Sequence, residues 1–556
     1  MKLPFHPKLF DTLPGYGRGQ FLHDVSSGIT VGVLALPLAM AFAIASGMSP
    51  SAGIWTAIVA GALISALGGS KVQIGGPTGA FIPIIYGIVV TYGVANLLIA
   101  TMLAGIFLVG MALGRVGNLI RFIPKTVVIG FTNGIAVVIF LAQIKDFLGL
   151  HIPSLPAEFF EKIQALFEHI HTFDGPTLAL SLASLAVLLG YNRLAQSFAP
   201  LRRAPGPLAV LVLGTAAAAV LDLPVETIGS RFGGIPQSVP PLELPALSLA
   251  TLGKLIAPAI AIALLGAIES LLSARVADGQ IDDKHDPNQE LMAQGIANII
   301  APLFGGFAAT GAIARTATNV RSGGRTPIAG LVHSFTLLLV VLLAAPLAQY
   351  IPLATLSAIV VLVSINMGEW HEFRELKRYS HNYRLILLST FLITVVFDLT
   401  LAVEIGMALA SLAFIYRVQD LTRIERMPLE AHYGAAVTHA DGRPRILAFK
   451  LYGSLFFGAV GKIEAQLDPK DLQADAIILD VAKVINIDTT ALESLENMRR
   501  TLAKRGAHII ISGLNEQPAS LVRRSGFGEA VGQDNLLDSF TEAILHAQQL
   551  LNEQRP

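Results

Sequence analysis

The chain has 556 residues, no cysteine, and 39 basic against 39 acidic side chains, so its formal net charge is zero. Hydrophobic residues make up 53% and charged residues only 14%, with a mean hydropathy of +0.63; a soluble protein carries about a quarter of its residues charged. Water is therefore not its main solvent, disulfides and thiolate metal sites are excluded, and the balanced charge argues against a nucleic-acid partner.

Residues 1–25 are polar, carry Lys2, Lys8 and Arg18, and contain no apolar run of signal-peptide length; they read as a cytoplasmic N-terminal segment. From 26 to 417, apolar runs broken by short loops form a membrane domain. Its fourteen candidate segments centre near 36, 59, 84, 105, 135, 187, 213, 266, 297, 317, 338, 360, 390 and 408. Several are shorter than the ~20 residues a spanning helix needs. With the N-terminus inside, loops after even-numbered segments hold Lys71; Arg115, Arg121 and Lys125; Arg193, Arg202 and Arg203; Arg321 and Arg325; and Arg374, Lys377, Arg378 and Arg384. Arg417 and Arg423 follow the last segment, while the opposite loops hold Asp146, Glu158, Asp222 and Glu226. Positive charge stays on the side of insertion, so both ends of the domain are predicted to be cytoplasmic.

The third segment opens as "QIGGPTGAFIPI" (73–84) and the tenth as "ATGAIARTAT" (309–318). Each is short, and each follows a Gly-containing, extended-looking stretch. If segments 1–7 and 8–14 are repeats, both are third in their half, and an odd repeat length inverts the second copy. Two short helices then point their N-termini at each other near the midplane, the arrangement that marks a transporter's binding site. Unpaired N–H groups and about half a positive charge at each end make an anion site. Gly75, Gly76, Gly79 and Gly311 permit close backbone approach, Pro77 suits a first helical turn, Thr78 offers a hydroxyl, and Arg315 completes the positive field.

Other readings stay open here. Gly-rich stretches also let membrane helices pack closely. Arg315 can instead neutralise Glu269, a carboxylate inside the eighth segment with Ser273 one turn away. Asn133 reads as a helix–helix hydrogen bonder, and Asp398 and Glu404 as solvated at an outer turn. The stretch "KHDPNQEL" (284–291) reads as a cytoplasmic loop without helical zinc spacing, and nothing in the apolar part suggests a metal, a cofactor or an enzyme's nucleophile.

The runs "LPLAMAFAIASGMSPSAGIW", "GGPTGAF", "GAIESLLSARVADG" and "NQELMAQGIANIIAPLFGGFAATGAIARTATN", in this order, resemble the SulP (sulfate permease) anion transporter family. The resemblance implies the inverted seven-plus-seven fold, with a core of segments 1–4 and 8–11 moving past a gate of 5–7 and 12–14, commonly in homodimers. It places substrate contacts at Pro37 to Phe42, at Gly76, Thr78, Gly79 and Ala80, and at Gly311, Ala312, Ile313, Ala314 and Arg315. Many relatives have Gln where this chain has Leu38. Sodium-coupled bicarbonate members carry Asp at the position of Glu269 and Thr at that of Ile313, and Ile313 offers no oxygen to a cation. The chain looks closer to proton-coupled bacterial dicarboxylate members, with Glu269 and Ser273 as coupling residues. The expectation is proton-coupled uptake of a dicarboxylate, or of sulfate, across a bacterial inner membrane. Sodium-coupled bicarbonate transport is the alternative, and an anion-sensing membrane receptor is the alternative of another class.

Residues 418–439 read as a linker and 440–556 as an α/β domain. "RILAFKLYG", "AIILDVAKV" and "GAHIIISGL" are strand-like, and 489–506 places Leu492, Leu495, Met498 and Leu502 on one helical face. This part resembles the STAS (sulfate transporter and anti-sigma-factor antagonist) domain. Thr489 stands where soluble STAS proteins carry a phosphorylated serine, and it reads first as a helix N-cap and second as a regulatory site.

Overall fold

The computed structural model describes residues 5–120, 124–153, 155–197, 206–242, 249–397, 399–433, 436–439, 442–468 and 472–553. Lys2, Arg121, Arg202, Arg203 and Asp398, used above, lie outside them, as does the side chain of Glu404. The chain divides into two compact units, Met1–Met407 and Ala408–Pro556.

In the first unit the helices longer than one and a half turns are α1 (Arg18–Ala45), α2 (Pro50–Leu67), α3 (Ile82–Tyr92), α4 (Val94–Leu113), α5 (Lys125–Leu148), α6 (Phe159–Glu168), α7 (Gly175–Ser197), α8 (Gly206–Val220), α9 (Leu249–Ile281), α10 (Pro287–Ile300), α11 (Ile313–Arg321), α12 (Pro327–Ala348), α13 (Leu353–Met367), α14 (His381–Val396) and α15 (Leu399–Leu421), the last running on into the second unit. Two short strands, β1 (Gly75–Gly76) and β2 (Thr310–Gly311), precede α3 and α11. Each of the fourteen segment centres falls inside one of these helices. Among the described residues, six helices are long and apolar enough to cross a membrane, and five shorter apolar ones accompany them. The unit is a polytopic α-helical membrane domain.

Local sequence sets the helix starts. Ser49-Pro50, Asp286-Pro287 and Thr326-Pro327 each pair an N-capping oxygen with a proline at N1, where no N–H is needed. The interior is lined by small residues: Ala35, Ala39, Ala57, Ala104, Ala267 and Ala297 have no exposed surface. Bulk points outward instead, as Leu343, Phe335 and Val212 are each more than half exposed. Such a surface belongs in lipid. Helix α1 packs on α12 and α9 on α4; α2 packs on α12 and α10 on α4; α5 packs on α14 and α13 on α7. Gly105 and Gly295 allow the α4–α10 contact, since a Cβ on either would lie within 2.8 Å of the other's carbonyl oxygen.

The stretch 284–291 is not a loop throughout. Pro287 starts α10, and Glu290, one turn in, is fully buried. Its carboxylate accepts from the N–H groups of Gly69 (2.9 Å) and Ser70 (3.2 Å) and from the side-chain amides of Gln73 (3.0 Å) and Gln294 (2.9 Å). Four donors offset the desolvation of this carboxylate and pin the chain leading into β1.

The second unit is a five-stranded sheet in the order β3 (Arg423–Met427), β4 (Ile446–Leu455), β5 (Ala476–Ile487), β6 (His508–Ser512), β7 (Leu536–Leu537). Only the β3–β4 pair is antiparallel. The segment read as linker thus contains an edge strand. Around the sheet lie α16 (Val460–Gln466), α17 (Thr489–Ala503), α18 (Glu516–Arg524) and α19 (Phe540–Glu553). Leu492, Leu495, Met498 and Leu502 of α17 are buried, as their helical spacing predicts. The N-cap of α17 is Asp488, whose carboxylate accepts from Ala491 N–H (2.8 Å) and Phe457 N–H (2.9 Å); Thr489 sits at N1, exposed. An acid one residue earlier in the sequence takes the capping role expected of Thr489.

Candidate functional site

Strands β1 and β2 pair antiparallel, Gly75 opposite Gly311 and Gly76 opposite Thr310. Because each strand leads into its helix, α3 and α11 leave this point in opposite directions. Neither spans a bilayer: eleven residues (Ile82–Tyr92) and nine residues (Ile313–Arg321) rise roughly 16 and 14 Å. The third segment enters through a 3₁₀ turn, Gly79–Phe81, so Pro77 precedes the N-cap Thr78 instead of occupying the first turn. Thr78 is buried, and its hydroxyl has no partner among the described residues.

The two strands are tied to α9 and α10 by hydroxyl and amide side chains. Ser270 shares a 2.6 Å hydrogen bond with Thr310 and accepts from Gly311 N–H at 3.2 Å. Ser273 donates to the Thr316 hydroxyl (3.3 Å), which also accepts from Ile74 N–H (3.0 Å), while Ala312 N–H donates to the Ile74 carbonyl (2.8 Å). Asn298 of α10 accepts from Ala309 N–H (2.8 Å) and donates to its carbonyl (2.9 Å). The amides of Gly311 and Ala312 are therefore used internally. Those of Gly79, Ala80, Ile313, Ala314 and Arg315 carry no hydrogen bond to the protein among the described residues. These are the unpaired donors of two helix N-termini.

Arg315 crosses from one half to the other. It is 2% exposed, its Nη2 donates to the Pro77 carbonyl, and its Nη1 has no partner among the described residues. Gly76 makes this possible: its φ is +147°, and a Cβ there would lie 2.5 Å from Nη1. No ion pair joins Arg315 to Glu269, and Glu269, half-buried on α9, makes no hydrogen bond or ion pair among the described residues. The guanidinium is held by backbone, and the carboxylate stands apart from it.

Pro37 is buried within α1, where it removes one rung of the helical ladder, and Phe42 is buried near Gly79. Over Gly79, Phe42 of α1, Ile139 of α5 and Met367 of α13 converge, each within 3.8 Å of where a Cβ would sit. Ile139 and Met367 carry no sequence signal, being apolar residues in apolar helices. Ser270, Thr310, Thr316 and Gln73 were legible only as polar residues in apolar surroundings. Behind β1, the ring of His333 on α12 is fully buried with neither nitrogen bonded among the described residues. Asn133 is also buried, and both its amide atoms lack a partner there, so the expected helix–helix bond is absent.

The comparisons agree with this architecture. Residues 21–390 match the sulfate permease family and residues 438–543 the STAS domain. A Bacillus subtilis (strain 168) protein named "Putative sulfate transporter YvdB" is 41% identical over 95% of this chain and 98% of its own. Bicarbonate transporter BicA of Picosynechococcus is 30% identical over 94% of both chains. The solved transmembrane domain of a cyanobacterial bicarbonate transporter BicA aligns with a TM-score of 0.64 and 32% identity, covering 70% of this chain and 98% of that one. Murine Solute Carrier 26 family member A9, an anion transporter solved in the inward-facing state, shares the fold with a TM-score of 0.85 at 18% identity, over 98% of this chain and 94% of that one. A polytopic membrane domain with paired half-helices, followed by a STAS domain, places the chain in the sulfate permease family, whose members are secondary transporters of small anions and not enzymes.

Proposed function

We propose that the chain takes up a small dianion, sulfate or a dicarboxylate, together with protons across a bacterial inner membrane, binding it between the N-termini of α3 and α11. The observation that carries this reading is the set of unpaired donors there: five backbone amides, the Thr78 hydroxyl and Nη1 of Arg315. A negatively charged ligand is the partner such donors call for. Pro37 and Phe42 supply the wall from α1, and Glu269 carries the proton, with Ser273 linking α9 to the half-helix through Thr316. The kinship with a protein named for sulfate transport favours sulfate within the dianion class.

Fourteen segments in an inverted seven-plus-seven repeat support an elevator-like movement of α1–α4 and α9–α12 past the remaining helices. Shifting every segment by seven exchanges the α1–α12 contact with α9–α4, α2–α12 with α10–α4, and α5–α14 with α13–α7. The antiparallel β1–β2 pair is its own counterpart under the same exchange. Both termini on the cytoplasmic side, homodimers, and phosphorylation at the exposed Thr489 belong to the same reading.

The second reading is sodium-coupled bicarbonate transport, favoured by the BicA relatives. Against it stands Ile313, which offers no side-chain oxygen at the start of α11. Uptake of labelled sulfate, succinate and bicarbonate into proteoliposomes, under proton and sodium gradients imposed separately, decides between them. We expect acceleration by an inward proton gradient and indifference to sodium. Uptake that requires sodium at fixed pH overturns the proton-coupled reading.

A further inference from the structure

A cavity of about 670 Å³ runs beside α3 for its whole length, lined by Ile82 and Pro83 at its first turn and Tyr92 at its last residue. Its first-turn end, at Ile82 and Pro83, follows directly on the Gly79–Phe81 turn that carries Gly79 and Ala80. Its other end is lined by α6, the amphipathic helix between α5 and α7, which contributes Lys162. That lysine is 5% exposed, yet among the described residues no carboxylate lies within ion-pair distance and its ammonium makes no hydrogen bond. Its one recorded companion is the Tyr86 ring, whose centroid is 5.9 Å away. Glu158, one turn earlier on the same cavity wall, is exposed and forms no ion pair with it. Lys162 is thus buried along its length while its Nζ still reaches the cavity; an ammonium so largely desolvated is costly to hold without an anion, and the face of one tyrosine offsets only part of that cost.

Resting on the transport reading above, we propose that Lys162 is an outer docking site for the transported small anion, which it draws into the cavity beside α3 before the anion reaches the half-helix N-termini. A single cation in a cleft with low-dielectric walls raises the local anion concentration without binding tightly enough to trap it. The walls contributed by α5, α9 and α14 are apolar or hydroxyl-bearing, from Val138 and Leu141 to Pro258 and Thr394. On α5, Asp146 is already held by Arg231 at 2.9 Å. Among the described residues lining the cavity, the titratable groups besides Lys162 are therefore Glu158, at the N-cap of α6, and Tyr86 and Tyr92 on α3. Burial pushes the Lys162 ammonium down to about 8, so docking is at full strength below pH 7 and fades as pH rises through 8.

The chain contains no native cysteine, which makes a chemical test clean. Initial rates are measured in proteoliposomes for whichever of sulfate, succinate and bicarbonate the parent chain moves. Lys162→Cys should raise KM about tenfold with little change in kcat. Aminoethyl methanethiosulfonate, which restores a positive charge, should bring KM back, and the membrane-impermeant sulfonatoethyl reagent should raise it further from the α6 side only. Lys162→Arg keeps the charge and should hold KM at the parent value at pH 7, while removing the parent's rise in KM between pH 7 and 9. A folded Lys162→Cys protein whose KM matches the parent and ignores both reagents overturns this site and leaves the transport reading standing. A parent chain that moves none of the three anions overturns both.

Discussion

Replacing Arg315 by alanine removes a guanidinium that the structure holds at the meeting point of the two half-helices. The side chain is 2% exposed, bonded through Nη2 to the Pro77 carbonyl, with Nη1 unpaired among the described residues. Losing one charge-assisted hydrogen bond to the anion costs about 1.5–3 kcal/mol, or roughly 10- to 150-fold in Kd. The orphaned Pro77 carbonyl adds about 1–3 kcal/mol of lost stability, so melting temperature falls as well. Arg315→Lys keeps the potential near both N-termini but lacks a planar fork that reaches Pro77 and the ligand together, so it should recover part of the affinity. Equilibrium binding and melting temperature are to be measured for Arg315→Ala, Glu269→Gln and the double variant. Because no ion pair joins the two residues, the double variant should bind as weakly as Arg315→Ala alone. A double variant that regains the parent's affinity and stability would show that Arg315 serves as a counter-ion, and the site assignment would fall.

Three further outcomes follow from the same geometry. Gly76→Ala forces a side chain onto a backbone at φ +147° with its Cβ 2.5 Å from Arg315 Nη1; anion binding should be lost and stability reduced by about 1–3 kcal/mol, whereas parent-like binding would refute the guanidinium placement. Glu269→Gln should leave anion binding within a few-fold of the parent but abolish the response of uptake to a proton gradient; a retained response assigns the proton elsewhere. Glu290→Ala strips the partner from Gly69, Ser70, Gln73 and Gln294, so melting temperature should fall by an amount equivalent to about 3 kcal/mol or more, and an unchanged melting temperature would show that those donors find other partners.

Much of this protein was legible in one dimension, and the reasons are local. Apolar runs locate helices because lipid leaves the backbone no partner but itself, so every segment centre fell within a helix. The sequences around Gly75 and Gly311 announced interrupted helices because Gly and Pro act on their own backbone. The face Leu492, Leu495, Met498 and Leu502 was readable because helical periodicity is a property of neighbours. What tertiary structure decided is everything that depends on which groups meet across hundreds of residues. Gly311 and Ala312 read as ligand donors, yet Ser270 and Ile74 claim their amides. Arg315 and Glu269 looked like possible partners by charge alone, but the guanidinium lies on Pro77, 238 residues away in sequence. Glu290 reads as a loop acid and is a fully buried acceptor; Lys162 carries no sequence signal and lines a cavity. Hydrophobicity and backbone preference act over a few residues and can be read in order, whereas hydrogen bonds and burial of charge are settled only once distant segments are packed, since each polar group takes the partner that geometry leaves within hydrogen-bonding reach.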